Sequence, residues 1–141
     1  MIFVTVGNTA FDSMIEAVDG LEGEIIIQKA DGKYIPKNHE YFEYGDLEPY
    51  FKRSAVVVTH GGAGNIFRLL SKGKKVVAVA NMDRTDKHQP DLLSKLESEK
   101  YLVWCKDLKK IREDITKATK SKFAKYKCPE CTIAMEIKKY V

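Results

Sequence analysis

The chain has 141 residues and a formal net charge of +4, with 44% hydrophobic and 31% charged residues. That length and balance suit one packed domain and exclude a disordered chain or a protein of several domains. No apolar run approaches the ~20 residues that a membrane-spanning helix needs, so a helical membrane protein is not expected.

The first half of the chain predicts three strands and two helices. Short apolar runs predict buried strands at residues 2–6 and 24–28, and a third short strand is predicted at 41–44. A helix is predicted from residue 11, with Gly20 and Gly23 as its stop signals, and a polar loop follows over 30–40. A second, short helix is predicted at 47–51, with Asp46 as its N-cap.

The second half repeats this alternation more clearly. Unbroken apolar runs predict strands at residues 55–59, 75–80 and 101–104. Between them the pattern predicts a helix that ends at Lys72-Gly73 and another over 88–100. The basic remainder is predicted to be mainly helical.

Continuous apolar strands that alternate with helices predict an α/β fold: a single Rossmann-like domain with a parallel sheet covered by helices on both faces. In such folds ligands bind at the carboxyl ends of the strands. The loops that follow three of the strands, at residues 7–10, 60–65 and 81–89, are therefore the expected binding site.

Charge divides the chain into two parts. Residues 1–105 carry 13 Lys and Arg against 15 Asp and Glu, a net charge of −2, whereas residues 106–141 carry 11 against 5, a net charge of +6. We therefore assign 1–105 to the ligand-binding domain and 106–141 to a basic, mainly helical segment that packs on the same domain or on a partner. A solvated helix face, an anionic membrane, an acidic partner or nucleic acid would each suit this segment.

The run THGGAGN, residues 59–65, is the strongest local motif. Three glycines in four positions let the backbone approach a ligand closely, and the helix that follows points free N–H groups at the same place. This combination favours a diphosphate or carboxylate site, although a purely structural turn is the alternative. The run is neither a Walker A loop nor a GxGxxG fingerprint.

These residues and the next loop resemble a known family. The segment from HGGAG through GKKVVAVA to a His-Gln pair is similar to the C-terminal, donor-binding domain of MurG-like GT-B glycosyltransferases. The opening IFVTVGNTAFDSMIEAVD resembles the start of small single-domain members. These are the catalytic subunit of the UDP-GlcNAc transferase of dolichyl-diphospho-chitobiose synthesis and exopolysaccharide glycosyltransferase subunits. The resemblance covers residues 1–104 and implies half of a GT-B fold.

The resemblance also implies roles for individual residues. It implies that the UDP diphosphate lies on Gly61, Gly62, Ala63, Gly64 and Asn65. It places the donor sugar against His88 and Gln89, with Asn81 as a further substrate-binding residue at the start of that loop. It turns the first loop toward the inter-domain cleft with Gly7, Asn8 and Thr9. His60 is a candidate general base, with a plain loop histidine as the alternative.

One position departs from the family pattern. Relatives carry a glutamate that binds ribose hydroxyls four residues after the last loop glycine, and this chain has Arg68 there. A guanidinium has no acceptor atoms, so it cannot replace that contact. It would instead pair with a phosphate or with an acidic sugar.

The implied function is that of the donor-binding catalytic subunit of a two-component glycosyltransferase. The enzyme would move a sugar from a UDP-sugar to a lipid-diphosphate-linked acceptor, and UDP-GlcNAc is the leading candidate for the donor. One domain supplies only the donor half, so the resemblance implies a heterodimer with a membrane-anchored acceptor-binding subunit, peripheral at the cytosolic face. Transfer of glucuronate or galactose in exopolysaccharide synthesis, a non-catalytic nucleotide-sugar-binding subunit and a basic-tailed scaffold are the alternatives.

No cofactor, metal or nucleic acid is expected. Three cysteines without a visible secretory signal indicate reduced thiols. Cys128 and Cys131 form a CxxC pair, but no second pair completes a zinc site, so two unliganded cysteines in a tail helix are the expectation.

Overall fold

The computed structural model describes residues 1–7, 10–60, 63–80 and 88–123, with the backbone alone for 63 and 88–90. Within that part the strands are β1 (Ile2–Thr5), β2 (Ile25–Gln28), β3 (Glu40–Phe42), β4 (Val56–His60), β5 (Lys75–Val79) and β6 (Val103–Cys105). The helices are α1 (Asp12–Asp19), α2 (Glu48–Arg53), α3 (Ala63–Ser71), α4 (His88–Ser98) and α5 (Ile111–Lys120), with a 3-10 turn at Leu108–Lys110.

The six strands form one sheet in the order β3-β2-β1-β4-β5-β6, and every neighbouring pair is parallel. Two-residue hairpins cannot join parallel strands, so each connection crosses a face of the sheet, mostly through a helix. This confirms the prediction of a single α/β domain with a parallel sheet and helices on both faces.

The alternating side chains of the strands build one apolar core on each face of the sheet. On one face, strand residues such as Val4 and Val58 pack against α1 and α5, whose buried positions include Met14 and Ile115. On the other face α2, α3 and α4 supply buried side chains, among them Phe51, Leu69 and Leu93. Because both faces are covered, the central strands read as continuous apolar runs.

The basic segment begins against this sheet. Ile111, Ile115 and Ala118 of α5 are buried in the same apolar cluster as the strands. At the start of β5, Lys75 Nζ donates to the carbonyl oxygen of Thr119 at 2.7 Å. The helix is amphipathic, since its lysines lie on the exposed side.

Two predicted boundaries were wrong. Asp46 is not the N-cap of α2: the cap is Leu47, and Asp46 Oδ1 instead accepts the backbone N–H of Glu48 at 3.1 Å. His60 is not a loop residue, because β4 continues through it and pairs it with Val79 of β5. Apolar character ends at Thr59, but the backbone ladder runs one residue further.

An aromatic stack ties the edge of the sheet to α2. The ring centroid of Tyr50 lies 5.0 Å from that of Phe3 and 4.9 Å from that of Phe42, with the rings nearly parallel. Phe51 meets Phe3 edge-on at 5.7 Å. These contacts fix both ends of residues 43–47, which join β3 to α2, because Phe42 precedes them and Tyr50 follows them.

Two threonines at the same register on β1 and β4 differ in their hydrogen bonds. Thr5 Oγ1 donates to Gln28 Oε1 at 2.5 Å, whereas the buried Thr59 Oγ1 has no hydrogen-bond partner among the residues described. We expect Thr5→Val to lower the free energy of unfolding by about 1–2 kcal/mol. Thr59→Val should leave it unchanged or raise it by up to ~1 kcal/mol, since an unpaired buried hydroxyl is unfavourable. Urea unfolding of both variants measures these two changes, and equal losses of unfolding free energy would contradict the prediction.

None of the helices in the described ranges combines the length and the apolar composition that a bilayer crossing requires.

Candidate functional site

A cleft of about 480 Å³ opens at the carboxyl ends of the strands. It lies at the junction of β1 and β4, where the strand order reverses and the connections leave toward opposite faces, through α1 and α3. Ligands bind at such a switch point in open parallel sheets. The described residues that line it are Gly7, Gln28, Tyr44, Gly45, Asp46, Leu47, His60, Gly64, Asn65 and Arg68.

Gln28 holds the first loop in place. Its side chain is 2% exposed, and its Oε1 accepts from Thr5 Oγ1 and from the backbone N–H groups of Val6 and Gly7. Its Nε2 donates to the carbonyl oxygens of Gly7 at 2.8 Å and Glu43 at 2.7 Å. One amide therefore joins the loop after β1 to the loop after β3, and all its hydrogen-bonding groups face protein atoms.

Gly7 closes the cleft floor against β4 and α3. Its φ is +64°, a left-handed conformation that favours glycine. A Cβ at this position would lie 2.9 Å from Asn65 Nδ2 and 3.1 Å from His60 Nε2. Both the backbone conformation and the contacts therefore require glycine here.

His60 ends β4 and lines the cleft beside Gly7. Burial lowers the pKa of His60 below its usual value, because the charged imidazolium is poorly solvated there. This shift favours the neutral ring, the form that a proton acceptor needs. Its role as a general base stays a prediction.

The first turn of α3 borders the cleft through Gly64 and Asn65. The N–H groups of a first helical turn have no partner within the helix, and the helix dipole adds positive potential at the same end. A methyl group added at Gly64 would meet no described atom within 4 Å, so this side of the helix faces open space. The arrangement suits an anion that sits on the helix end.

Arg68 lies further along α3 and is paired with protein groups. Arg68 Nη2 binds Glu48 Oε1, and the Arg68 guanidinium lies 5.4 Å from the centroid of the Phe51 ring. The other carboxylate oxygen, Glu48 Oε2, binds Lys72 Nζ at 2.9 Å. Lys72 and Arg68 lower the pKa of Glu48, so this carboxylate is ionised at neutral pH. One carboxylate is therefore shared by two cations, and the three side chains together keep a net charge of +1.

The structure brings five of the predicted site residues together at the cleft: Gly7, His60, Gly64, Asn65 and Arg68. Ala63, His88 and Gln89 are described by their backbone, which begins α3 and α4 respectively. Asn8, Thr9, Gly61, Gly62 and Asn81 lie outside the described residues. The contacts proposed for all of these residues stay predictions.

Sequence reasoning missed Gln28 and the loop residues 44–47. A lone polar residue at the end of an apolar run, as in EIIIQ, was the available signal for Gln28, although it also marks a strand end. Loop 44–47 carried no signal, since only the fold brings the connection between β3 and α2 over the cleft.

The cysteines give no sign of a metal or redox site in the described part of the chain. Burial raises the pKa of Cys105 to about 12, so it is a protonated and unreactive thiol. Cys128 and Cys131 lie outside the described residues. Nowhere in the described ranges do three or more His, Cys, Asp or Glu side chains gather in a way that would hold a metal ion.

Comparisons with known proteins agree on one family. The model of the glycosyltransferase family 28 C-terminal domain matches residues 20–140. The sequence is 31% identical over 122 residues to the UDP-N-acetylglucosamine transferase subunit ALG13 of Homo sapiens, covering 74% of this chain and 11% of that protein. The same subunit of Mus musculus is 31% identical over 121 residues, covering 73% and 10%. The chain spans about a tenth of the length of these relatives.

Solved structures show the same fold. The NMR structure of ALG13 matches with a TM-score of 0.66 at 17% identity, covering 96% of this chain and 92% of that one. MurG of Acinetobacter baumannii matches with a TM-score of 0.62 at 15% identity, covering 83% of this chain and 41% of that one. The prediction that this domain is half of a GT-B fold is confirmed.

Proposed function

Because this chain belongs to the family of glycosyltransferase family 28 C-terminal domains, we propose that it is the donor-binding, catalytic subunit of a two-component glycosyltransferase. The proposed reaction moves N-acetylglucosamine from UDP-N-acetylglucosamine to a lipid-diphosphate-linked acceptor. The cleft at the β1–β4 switch point, with the first turn of α3 on its border, is the observation that supports it. The names of the relatives, transferase subunits for this sugar, support the donor.

In this proposal the cleft binds the donor through its diphosphate. The diphosphate lies on the first turn of α3, where Gly64 and Asn65 border the cleft and Gly61 and Gly62 precede the helix. Negative charge develops on the leaving UDP as the bond to the sugar breaks. Backbone N–H groups and the helix dipole stabilise that charge without a metal ion.

The names of the relatives support a partner subunit, since each relative is called a subunit of a transferase. The described domain covers 41% of the MurG chain, so the matched fold is one part of that chain. We propose that a separate, membrane-anchored subunit binds the lipid-linked acceptor and forms a heterodimer with this chain at the cytosolic membrane face. Each subunit would then contribute one wall of the active site.

The structure weakens the case for an acidic donor sugar. Arg68 favoured an acidic sugar as a cation available to the donor, and the described structure pairs Arg68 with Glu48. Glucuronate and galactose, the alternatives implied by the exopolysaccharide relatives, are the comparison donors in the test. A UDP-sugar that binds but is not transferred in the presence of the acceptor subunit would indicate a non-catalytic binding subunit.

Gly64→Val tests the site directly. We expect at least tenfold weaker UDP binding by calorimetric titration, because the new side chain would enter the open space beside the first turn of α3. The melting temperature should change little, since valine is no worse than glycine in a helix.

Gly20→Val is the matched control, since Gly20 ends α1 away from the cleft and its Cβ would meet a single atom, at 3.7 Å. Wild-type UDP affinity in a folded Gly64→Val protein would contradict the assignment of the cleft. Absence of UDP binding by the wild-type chain would contradict the proposed function itself.

A further inference from the structure

Asp46 is the only carboxylate among the described residues that line the cleft. It lies in the loop between β3 and α2, where its Oδ1 accepts the N–H of Glu48 at 3.1 Å. That contact orients the carboxylate, and Oδ2 accepts no hydrogen bond from the described residues. The cleft therefore presents one oriented anionic acceptor.

The other polar groups on this side of the cleft are already used by protein contacts. The side-chain amide of Gln28 hydrogen-bonds to the loops after β1 and β3. Glu48 binds a cation with each carboxylate oxygen, Arg68 with one and Lys72 with the other. Asp46 is thus the acidic group best placed to accept hydrogen bonds from a ligand.

The position of Asp46 indicates which part of the donor it would meet. With the diphosphate on the first turn of α3, the two ends of a UDP-sugar extend to opposite sides of that turn. The start of α4, which follows β5, lies on one side, whereas loop 44–47 lies on the β3 side. The proposed sugar contacts of His88 and Gln89 occupy the first side, so the nucleoside faces the loop.

The chemistry of that loop suits a nucleoside. A carboxylate accepts two hydrogen bonds from the vicinal hydroxyls of a ribose, as an acidic residue does in dinucleotide-binding Rossmann folds. Tyr44, 55% exposed and two residues before Asp46, adds an aromatic ring at the cleft. A guanidinium such as that of Arg68 offers no acceptor for these hydroxyls.

We propose that Asp46 binds the ribose hydroxyls of the nucleotide and so supplies the acidic contact that Arg68 cannot make. The inference rests on the proposed function, because it takes UDP as the ligand. In this arrangement Glu48 has a separate role, since Arg68 and Lys72 form their ion pairs with it and not with Asp46. The carboxylate comes from the loop before α2 rather than from α3.

The test compares UDP with 2′-deoxy-UDP by calorimetric titration of the full chain. We expect the wild-type protein to bind UDP about tenfold more tightly than 2′-deoxy-UDP. Asp46→Ala should bring that ratio to between 1 and ~2, because it weakens UDP more than 2′-deoxy-UDP, which loses only the contact of its 3′-hydroxyl; a good hydrogen bond to a charged group is worth roughly tenfold or more. Asp46→Asn, which can still accept the Glu48 N–H, should give an intermediate ratio.

Glu43→Gln is the matched control, because it removes one negative charge from the same loop at a residue that does not line the cleft. It should keep the wild-type ratio. A ratio that Asp46→Ala leaves unchanged, in a protein that binds UDP, would overturn the inference while the proposed function stands. A wild-type chain that binds neither nucleotide would overturn both.

Discussion

Gln28→Leu should lower the free energy of unfolding by about 3–5 kcal/mol and weaken UDP binding at least tenfold. The substitution removes a hydrogen-bond partner from Thr5 Oγ1 and from four backbone groups, the N–H groups of Val6 and Gly7 and the carbonyls of Gly7 and Glu43. Three of these backbone groups keep a second partner: the Val6 N–H donates to the Gln28 carbonyl, the Gly7 N–H donates to Thr5 Oγ1, and the Glu43 carbonyl accepts from the Ala30 N–H. The loss falls mainly on the Thr5 hydroxyl and the Gly7 carbonyl, and each buried polar group that loses its partner costs about 1–3 kcal/mol. Urea unfolding and UDP titration measure the two effects.

Thr59→Val serves as the comparison for Gln28→Leu, because it also removes a buried polar group at the same end of the sheet. Its hydroxyl has no described partner, so no backbone group is left unpaired. If Gln28→Leu were as stable as Thr59→Val, the network would not be holding the loops. Normal UDP affinity in an unstable Gln28→Leu protein would show that Gln28 stabilises the fold but does not set the geometry of the cleft.

Gly7→Val should cost about 3–4 kcal/mol of unfolding free energy and reduce UDP affinity by about a hundredfold. A β-branched residue is strained at a φ of +64°, and its Cβ would approach Asn65 and His60 at 2.9 and 3.1 Å. Relief of these contacts requires the loop or the start of α3 to move, and both border the cleft. Chemical denaturation and calorimetry of the variant provide the two measurements.

Gly73→Val isolates the backbone contribution to that loss. Gly73 has a φ of +71° and a Cβ there would meet no described atom within 4 Å. We expect it to cost about 1–3 kcal/mol, the usual range for local backbone strain, without any effect on UDP affinity. Equal losses of unfolding free energy in Gly7→Val and Gly73→Val would show that the close approach of the new side chain to Asn65 and His60 adds nothing to the backbone strain.

The secondary structure and the fold class could be predicted from the sequence because parallel strands buried on both faces leave unbroken apolar runs. The apolar runs before Gly7 and around Val56–His60 predicted the two central strands. Since ligands bind at the carboxyl ends of parallel strands, these runs also predicted a candidate site around Gly7 and Gly64, where the cleft lies. These residues lie within a few positions of a strand end, so local pattern was enough.

The remaining cleft residues depend on the order of the strands, which is not a local property. Tyr44 and Asp46 follow β3, which stands at the sheet edge two strands from β1, and the path of the chain into α2 brings them to the cleft. The pairing of Arg68 with Glu48 likewise joins residues 20 positions apart on different helices. No periodicity in the sequence encodes either contact.

The parallel sheet also has a consequence for biosynthesis. Ile2 of β1 pairs with Ile25 of β2 and with Val56 of β4, so the strand at the centre of the sheet acquires its second neighbour only after 54 more residues. At synthesis rates of about 5–20 residues per second, that interval is roughly 3–10 s. During this time a nascent chain would display β1 with both edges open until β2 is made and with one edge open until β4 is made, a target for chaperones and for misassociation. Folding of this domain is therefore expected to follow translation of β4 rather than to accompany translation of the first strands.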